Sequence, residues 1–157
     1  MTSSLPFSKA EIAAELLRRK RATEGLIEFT EFTFPRYRTA EHHRKIAHHL
    51  ERVIKGECKR LMLLLPPRHG KSELASKRFP ALALGWRPEL QFISASATSG
   101  LAEDFGRDVR NIISSPEYAN LFPRTELAQD SQAKGKWNTS AGGIYYAVGV
   151  GGAVIGR

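Results

Sequence analysis

An α/β domain with a parallel sheet flanked by helices is the fold class this sequence predicts, and three observations predict it. The run 61–65, Leu61, Met62, Leu63, Leu64 and Leu65, is apolar throughout, as a strand covered on both faces would be. It leads directly into Gly70, Lys71 and Ser72 and then into a helical pattern. A second strand pattern over 89–96 is followed by a second helix, and alternating strands and helices imply parallel pairing through crossovers.

The elements follow in order. Ser8 with Glu11 forms a capping box, Ile12, Leu16 and Leu17 share a face, and Gly25 closes a helix over 9–24. Residues 26–35, rich in Phe and Ile with Thr between, read as a short extended or irregular piece. Thr39 caps the next helix, in which Ile46, Leu50, Val53 and Ile54 keep helical spacing until Gly56. After Ser72 a helix runs from 73 to 84, kinked or broken at Pro80 and ended by Gly85. Leu101, Phe105, Val109 and Ile112 mark a helix opening near Ser99, and Ser115 with Pro116 starts a further turn. Residues 123–135 read as a polar loop. Residues 136–140 and 144–148, separated by Ala141, Gly142 and Gly143, read as a β-hairpin. The glycine-rich stretch 149–157 reads as a loop lining a site or as a plain linker. It is no dinucleotide fingerprint, because Val154 stands where the third glycine would be.

The 157 residues suffice for one domain, and 41% hydrophobic content is that of a globular chain. Lys and Arg number 24 against 16 Asp and Glu, a net charge of +8, which suits a polyanionic partner and nucleic acid first. Arg18, Arg19, Lys20 and Arg21 concentrate that charge, although such a run also serves as a solvated helix face. The single Cys58 excludes an internal disulfide. Neither a secretory leader nor a run of membrane-spanning length is expected from the sequence.

The chemistry concentrates at 65–73. Gly70 lets the backbone turn so that its amides face phosphate oxygens. Lys71 reaches the β/γ-phosphates, and the Ser72 hydroxyl is placed to hold Mg²⁺. The full phosphate-loop pattern would begin with Gly where Leu65 stands. Four of the five histidines, His42, His43, His48 and His49, crowd the second helix. Ile46 and Ala47 occupy the positions four beyond His42 and His43, so metal ligation is disfavoured against a surface or nucleotide-facing role.

From about Tyr37 to Arg157 the sequence resembles the ATPase half of tailed-phage large terminase subunits. The resemblance is carried by His42, His43 and Arg44, by Arg60 and Leu61 leading to Pro66, Pro67, Arg68, His69, Gly70, Lys71, Ser72 and Glu73, and by Phe79, Pro80 and Ala81 with Leu84 and Gly85. It continues in Leu101 and Ala102, in 107–110, in Tyr118 with Leu121, Phe122 and Pro123, and in 149–152. It implies a RecA-like P-loop NTPase domain over 37–157, behind an N-terminal helical or irregular extension over 1–36. ATP and Mg²⁺ would be the cofactors, held by Pro67, Arg68, His69, Gly70, Lys71, Ser72 and Glu73.

Arg68 would stabilise the γ-phosphate or act as an electrostatic neighbour. Arg157 would precede the strand that carries the Mg²⁺-binding Asp and act as a finger on an adjacent subunit, and the stretch around Tyr37 to His43 would contact adenine or serve packing. The implied partners are double-stranded DNA, a portal protein, a small terminase subunit and further copies in a ring. The implied location is the host bacterial cytoplasm, transiently at the procapsid portal. The sequence ends before an apolar strand with paired carboxylates and before a nuclease domain. A partial ATPase domain, inactive in hydrolysis alone and with the apolar edge of 61–65 exposed, is therefore expected. Alternatives are another P-loop machine, such as a helicase-like translocase or a nucleotide kinase, and a small basic nucleic-acid-binding protein in which Gly70, Lys71 and Ser72 are incidental.

Overall fold

A computed structural model describes residues 7–150. Six helical segments and four strands form an α/β arrangement: α1 (Lys9–Glu24), α2 (Leu26–Thr33), α3 (Glu41–Ile54), a π-helical turn (Glu73–Arg78) continuing into α4 (Phe79–Trp86), β1 (Gln91–Ser96), α5 (Ser99–Ile113), α6 (Pro116–Leu121), β2 (Leu127–Gln132), β3 (Lys136–Thr139) and β4 (Ile144–Gly149).

The sheet is mixed, which corrects the expectation of a parallel one. Its order is β1-β4-β3-β2, with β1 parallel to β4 and the other two pairs antiparallel. The expected hairpin is β3–β4, turning through Gly142 at φ +88°. Part of the stretch read as a polar loop is β2, whose pairing with β3 supplies the order that its polar side chains do not announce.

The run 61–65 is the largest departure, for it pairs with no strand among the described residues. Leu61, Leu63 and Leu65 pack against the core, while Met62 and Leu64 are 80% and 85% exposed. The segment thus lies on the core by one side only. The expected open sheet edge is therefore not formed at 61–65; Ile93 on β1 is a further exposed apolar residue.

In the helical layers, the Ser8–Glu11 capping box forms as read, with Ser8 N–H donating to Glu11 Oε2 at 2.7 Å. The face of Ile12, Leu16 and Leu17 nevertheless points to solvent, and the buried residue of α1 is Ala22 near its end. Residues 26–33 form a helix where an extended piece was expected. Burial of Leu26, Ile27, Phe29, Thr30 and Phe32 outweighs the strand preference of aromatic and β-branched residues. Glu51 on α3 accepts from the Leu26 N–H at 2.7 Å and supplies the cap that Gly25 lacks.

The start of α3 is also corrected. Ala40 is its N-cap, whereas the Thr39 hydroxyl donates to Glu31 at 2.5 Å.

Ahead of Pro80, which has no N–H and crowds the carbonyl four residues back, the helix widens into the π turn, with Phe79 N–H donating to the Leu74 carbonyl. Gly85 does not end α4, which continues to Trp86. A Cβ at Gly85 would lie 2.6 Å from the Phe122 ring, so the glycine admits that ring instead. On α5 the buried stripe is Ala102, Gly106, Val109 and Ile113, not the line through Leu101, which is exposed.

One core joins the helices to one face of the sheet. Phe29 meets Tyr118 edge-on, the Tyr118 hydroxyl donates to the Ala81 carbonyl at 2.9 Å, and Trp137 stacks on Tyr145 with centroids 4.9 Å apart. Residues of α1 and α2 share this core with α4 to α6, so packing is continuous across position 36. Among the described residues no helix is long and apolar enough to cross a membrane.

Candidate phosphate-binding loop

Leu65 and Leu74 anchor the two ends of the loop, the first half-buried and the second fully buried. Between them Pro66, Pro67, Arg68, His69, Lys71 and Ser72 are exposed. Residues 65–73 line one open cleft of about 470 Å³. The backbone enters the left-handed region twice, at Arg68 (φ +64°) and at Gly70 (φ +76°). Glycine does so freely, but an arginine there carries strain of the kind that collects at functional sites. His69 lies between them and donates from Nδ1 to the Pro67 carbonyl at 2.8 Å.

The helical run begins at Lys71 and continues to 86. Its first bond goes from Leu74 N–H to the Gly70 carbonyl at 3.0 Å, which leaves the amides of Gly70, Lys71, Ser72 and Glu73 as the orphan donors of a helix start. These amides and the positive end of the helix dipole make an anion site. Lys71 makes no ion pair among the described residues, and the Ser72 side chain makes no capping bond. Lys71 also lines a second cleft of about 410 Å³ with Leu50, Val53, Leu61, Leu63, Ala75 and Ser76.

Glu73, grouped with the loop in the sequence, is committed elsewhere. It accepts from Arg78 Nε at 2.8 Å and from Lys77 at 3.4 Å. Lys77 also pairs with Asp108 on α5 at 2.9 Å. Burial by itself would lower the Lys77 pKa, but Asp108 and Glu73 outweigh it and hold the ammonium above its ordinary value. Buried Arg78 further donates to the Thr33 hydroxyl at 2.9 Å and lies over the Phe34 ring. The acid that borders the cleft thus ties the helix to α2 and α5, and no free carboxylate from 65–73 faces the cleft.

Beside the loop stands an aromatic and imidazole cluster. His42 and His43 have ring centroids 4.0 Å apart, His42 and His69 5.8 Å, and Tyr37 and His43 5.2 Å. The Tyr37 hydroxyl and His42 Nε2 are buried without a partner among the described residues. Burial, with Glu73 and Glu31 nearby, pushes the Tyr37 phenol up to about 12. Burial also lowers the His43 pKa, as does His42, against hydrogen bonding to the His69 and Arg38 backbones. No group of three or more His, Cys, Asp or Glu that could hold a metal occurs among the described residues.

The structure therefore brings Pro67, Arg68, His69, Gly70, Lys71 and Ser72 around one cleft and sets Glu73 at its border. Arg157 lies outside the described residues, as does most of the glycine-rich stretch. In the basic run of α1, Arg18 and Arg19 pair with Glu15, and Arg18 also covers the Phe32 ring, as on a solvated helix face. Sequence reasoning did not single out Arg78 or the contact of His43 with the loop. Comparisons with protein-family models, with curated proteins and with solved structures find no match to this chain.

Proposed function

We propose that this chain is the nucleotide-binding part of a DNA-packaging motor of the tailed-phage large-terminase type, built on a RecA-like P-loop NTPase fold. The observation that carries the reading is the cleft at 65–73. There a left-handed Gly70, four orphan amides and an unpaired Lys71 converge at the start of a long helix. ATP is the proposed ligand, with Lys71 on the β/γ-phosphates and Arg68 at the γ-phosphate. The Ser72 hydroxyl, free of capping bonds, fits a Mg²⁺ ligand. When bound there, Mg²⁺ would neutralise charge on the phosphate oxygens.

Double-stranded DNA, a portal protein, a small terminase subunit and a ring of copies at the procapsid portal in the host cytoplasm come with the resemblance. The net charge of +8 agrees with a DNA partner. Coupling of ATP hydrolysis to DNA translocation is proposed for the assembled motor; Glu73, the one carboxylate of 65–73, is engaged by Arg78 and Lys77. A finger role for Arg157 belongs to the same proposal.

A second reading, a basic nucleic-acid-binding protein with an incidental Gly70, Lys71 and Ser72, is favoured by one observation: the run 61–65 pairs with no strand among the described residues. Calorimetric titration with ATP and Mg²⁺ separates the two. The motor reading predicts saturable binding that Lys71→Ala abolishes, and the second predicts no binding or binding that Lys71→Ala leaves unchanged.

A further inference from the structure

Resting on the phosphate-loop reading, we propose that His43 is a positioning residue for the loop, bracing its backbone at Gly70 from a helix outside it. The ring is fixed at Nδ1 and presents Nε2 to the loop. Nδ1 accepts from the Ala40 N–H at 3.1 Å, which places the proton of the neutral ring on Nε2. Nε2 then faces the loop: a Cβ added to Gly70 would stand 2.6 Å from it. Gly70 is one of the two left-handed residues, so the ring meets the loop where its shape departs furthest from ordinary backbone.

Little else holds this turn in place. From Pro66 to Ser72 every residue except Gly70 is exposed, and the nearest well-packed anchors are Leu65 and Leu74. The α3 helix, by contrast, is fixed in the core by Ile46, Ala47 and Leu50. His43, buried between Tyr37 and His42, therefore transfers the rigidity of α3 to a loop whose amides must point at one place to bind an anion.

Inorganic triphosphate is the probe, titrated into the wild-type chain and into Lys71→Ala, His43→Leu, His43→Gln and His43→Asn well below each melting temperature. His43→Leu removes the Ala40 bond and the polar Nε2 edge against Gly70, and is expected to weaken binding by at least about tenfold. Gln at this position can accept from the Ala40 N–H, as in a capping box, and still extend a donor to the loop. His43→Gln is thus expected to stay within about threefold of wild type. Asn retains the Ala40 bond but falls short of Gly70, so His43→Asn should lose about tenfold and decides the matter if His43→Leu does not fold. Wild-type affinity in His43→Asn, with binding lost in Lys71→Ala, would overturn the bracing role and leave the loop reading intact. Absence of binding in the wild-type chain would instead overturn the loop reading, and the bracing role with it.

Discussion

Arg78 donates from Nε to Glu73 Oε1 at 2.8 Å, spanning the π turn that follows the loop. Both side chains are largely withdrawn from solvent, and Arg78 is also held by Thr33 and Phe34. Removing one member of such a pair leaves the other charge buried and poorly compensated. Glu73→Ala is expected to destabilise the fold by about 3 kcal/mol. Loss of the exposed Arg87–Glu89 contact through Arg87→Ala should leave the urea midpoint unchanged. Urea denaturation of the two variants checks the contrast.

Gly70→Ala should damage the loop for two separate reasons. Alanine at φ +76° costs about 1 kcal/mol, and its Cβ would collide with His43 Nε2. In a His43→Ala background the collision is gone, so there Gly70→Ala should add only the backbone cost. Thermal unfolding of both single variants and the double variant should show a double-variant loss smaller than the two single losses added together.

Position along the helices should matter more than hydrophobicity. Leu26 is fully buried, and Leu26→Ala is expected to cost about 2–5 kcal/mol. Leu16 is 60% exposed, so Leu16→Ser should change stability by no more than about 0.5 kcal/mol. Denaturant titration of both tests whether the outer face of α1 is free.

Much of the architecture could be read because local chemistry enforces it. The Ser8–Glu11 box, the helix starts at Ser99 and after Ser115, and the hairpin turn at Gly142 are decided within a few residues. Where the reading failed, distant partners decide. Residues 26–33 are helical because Phe29 and Leu26 find the core. The polar β2 exists through its pairing with β3, and 61–65 lacks the neighbours that would make it a strand. The candidate loop was legible because its residues are contiguous. The contact of His43 with Gly70 was not, since no local pattern joins positions 27 residues apart.

Acid should weaken the fold through His43. Its folded pKa lies below the ordinary 6.5, chiefly from burial, so the unfolded chain binds the proton more readily. The stabilising contribution is fully present above pH 6.5 and is lost as the pH falls through the folded value. Protonation of Nδ1 also removes the acceptor used by Ala40. Urea midpoints measured from about pH 5 to 8 should fall on the acid side more steeply for the wild-type chain than for His43→Gln.

The central claim is that the amides at 70–73, with Lys71, form a polyphosphate site. Equilibrium titration of the wild-type chain and Lys71→Ala with ATP in the presence of Mg²⁺ tests it most directly. The account predicts saturable binding by the wild-type chain and none by Lys71→Ala, with both equally folded by circular dichroism. Equal affinity in the two, or no binding by a folded wild-type chain, would contradict it.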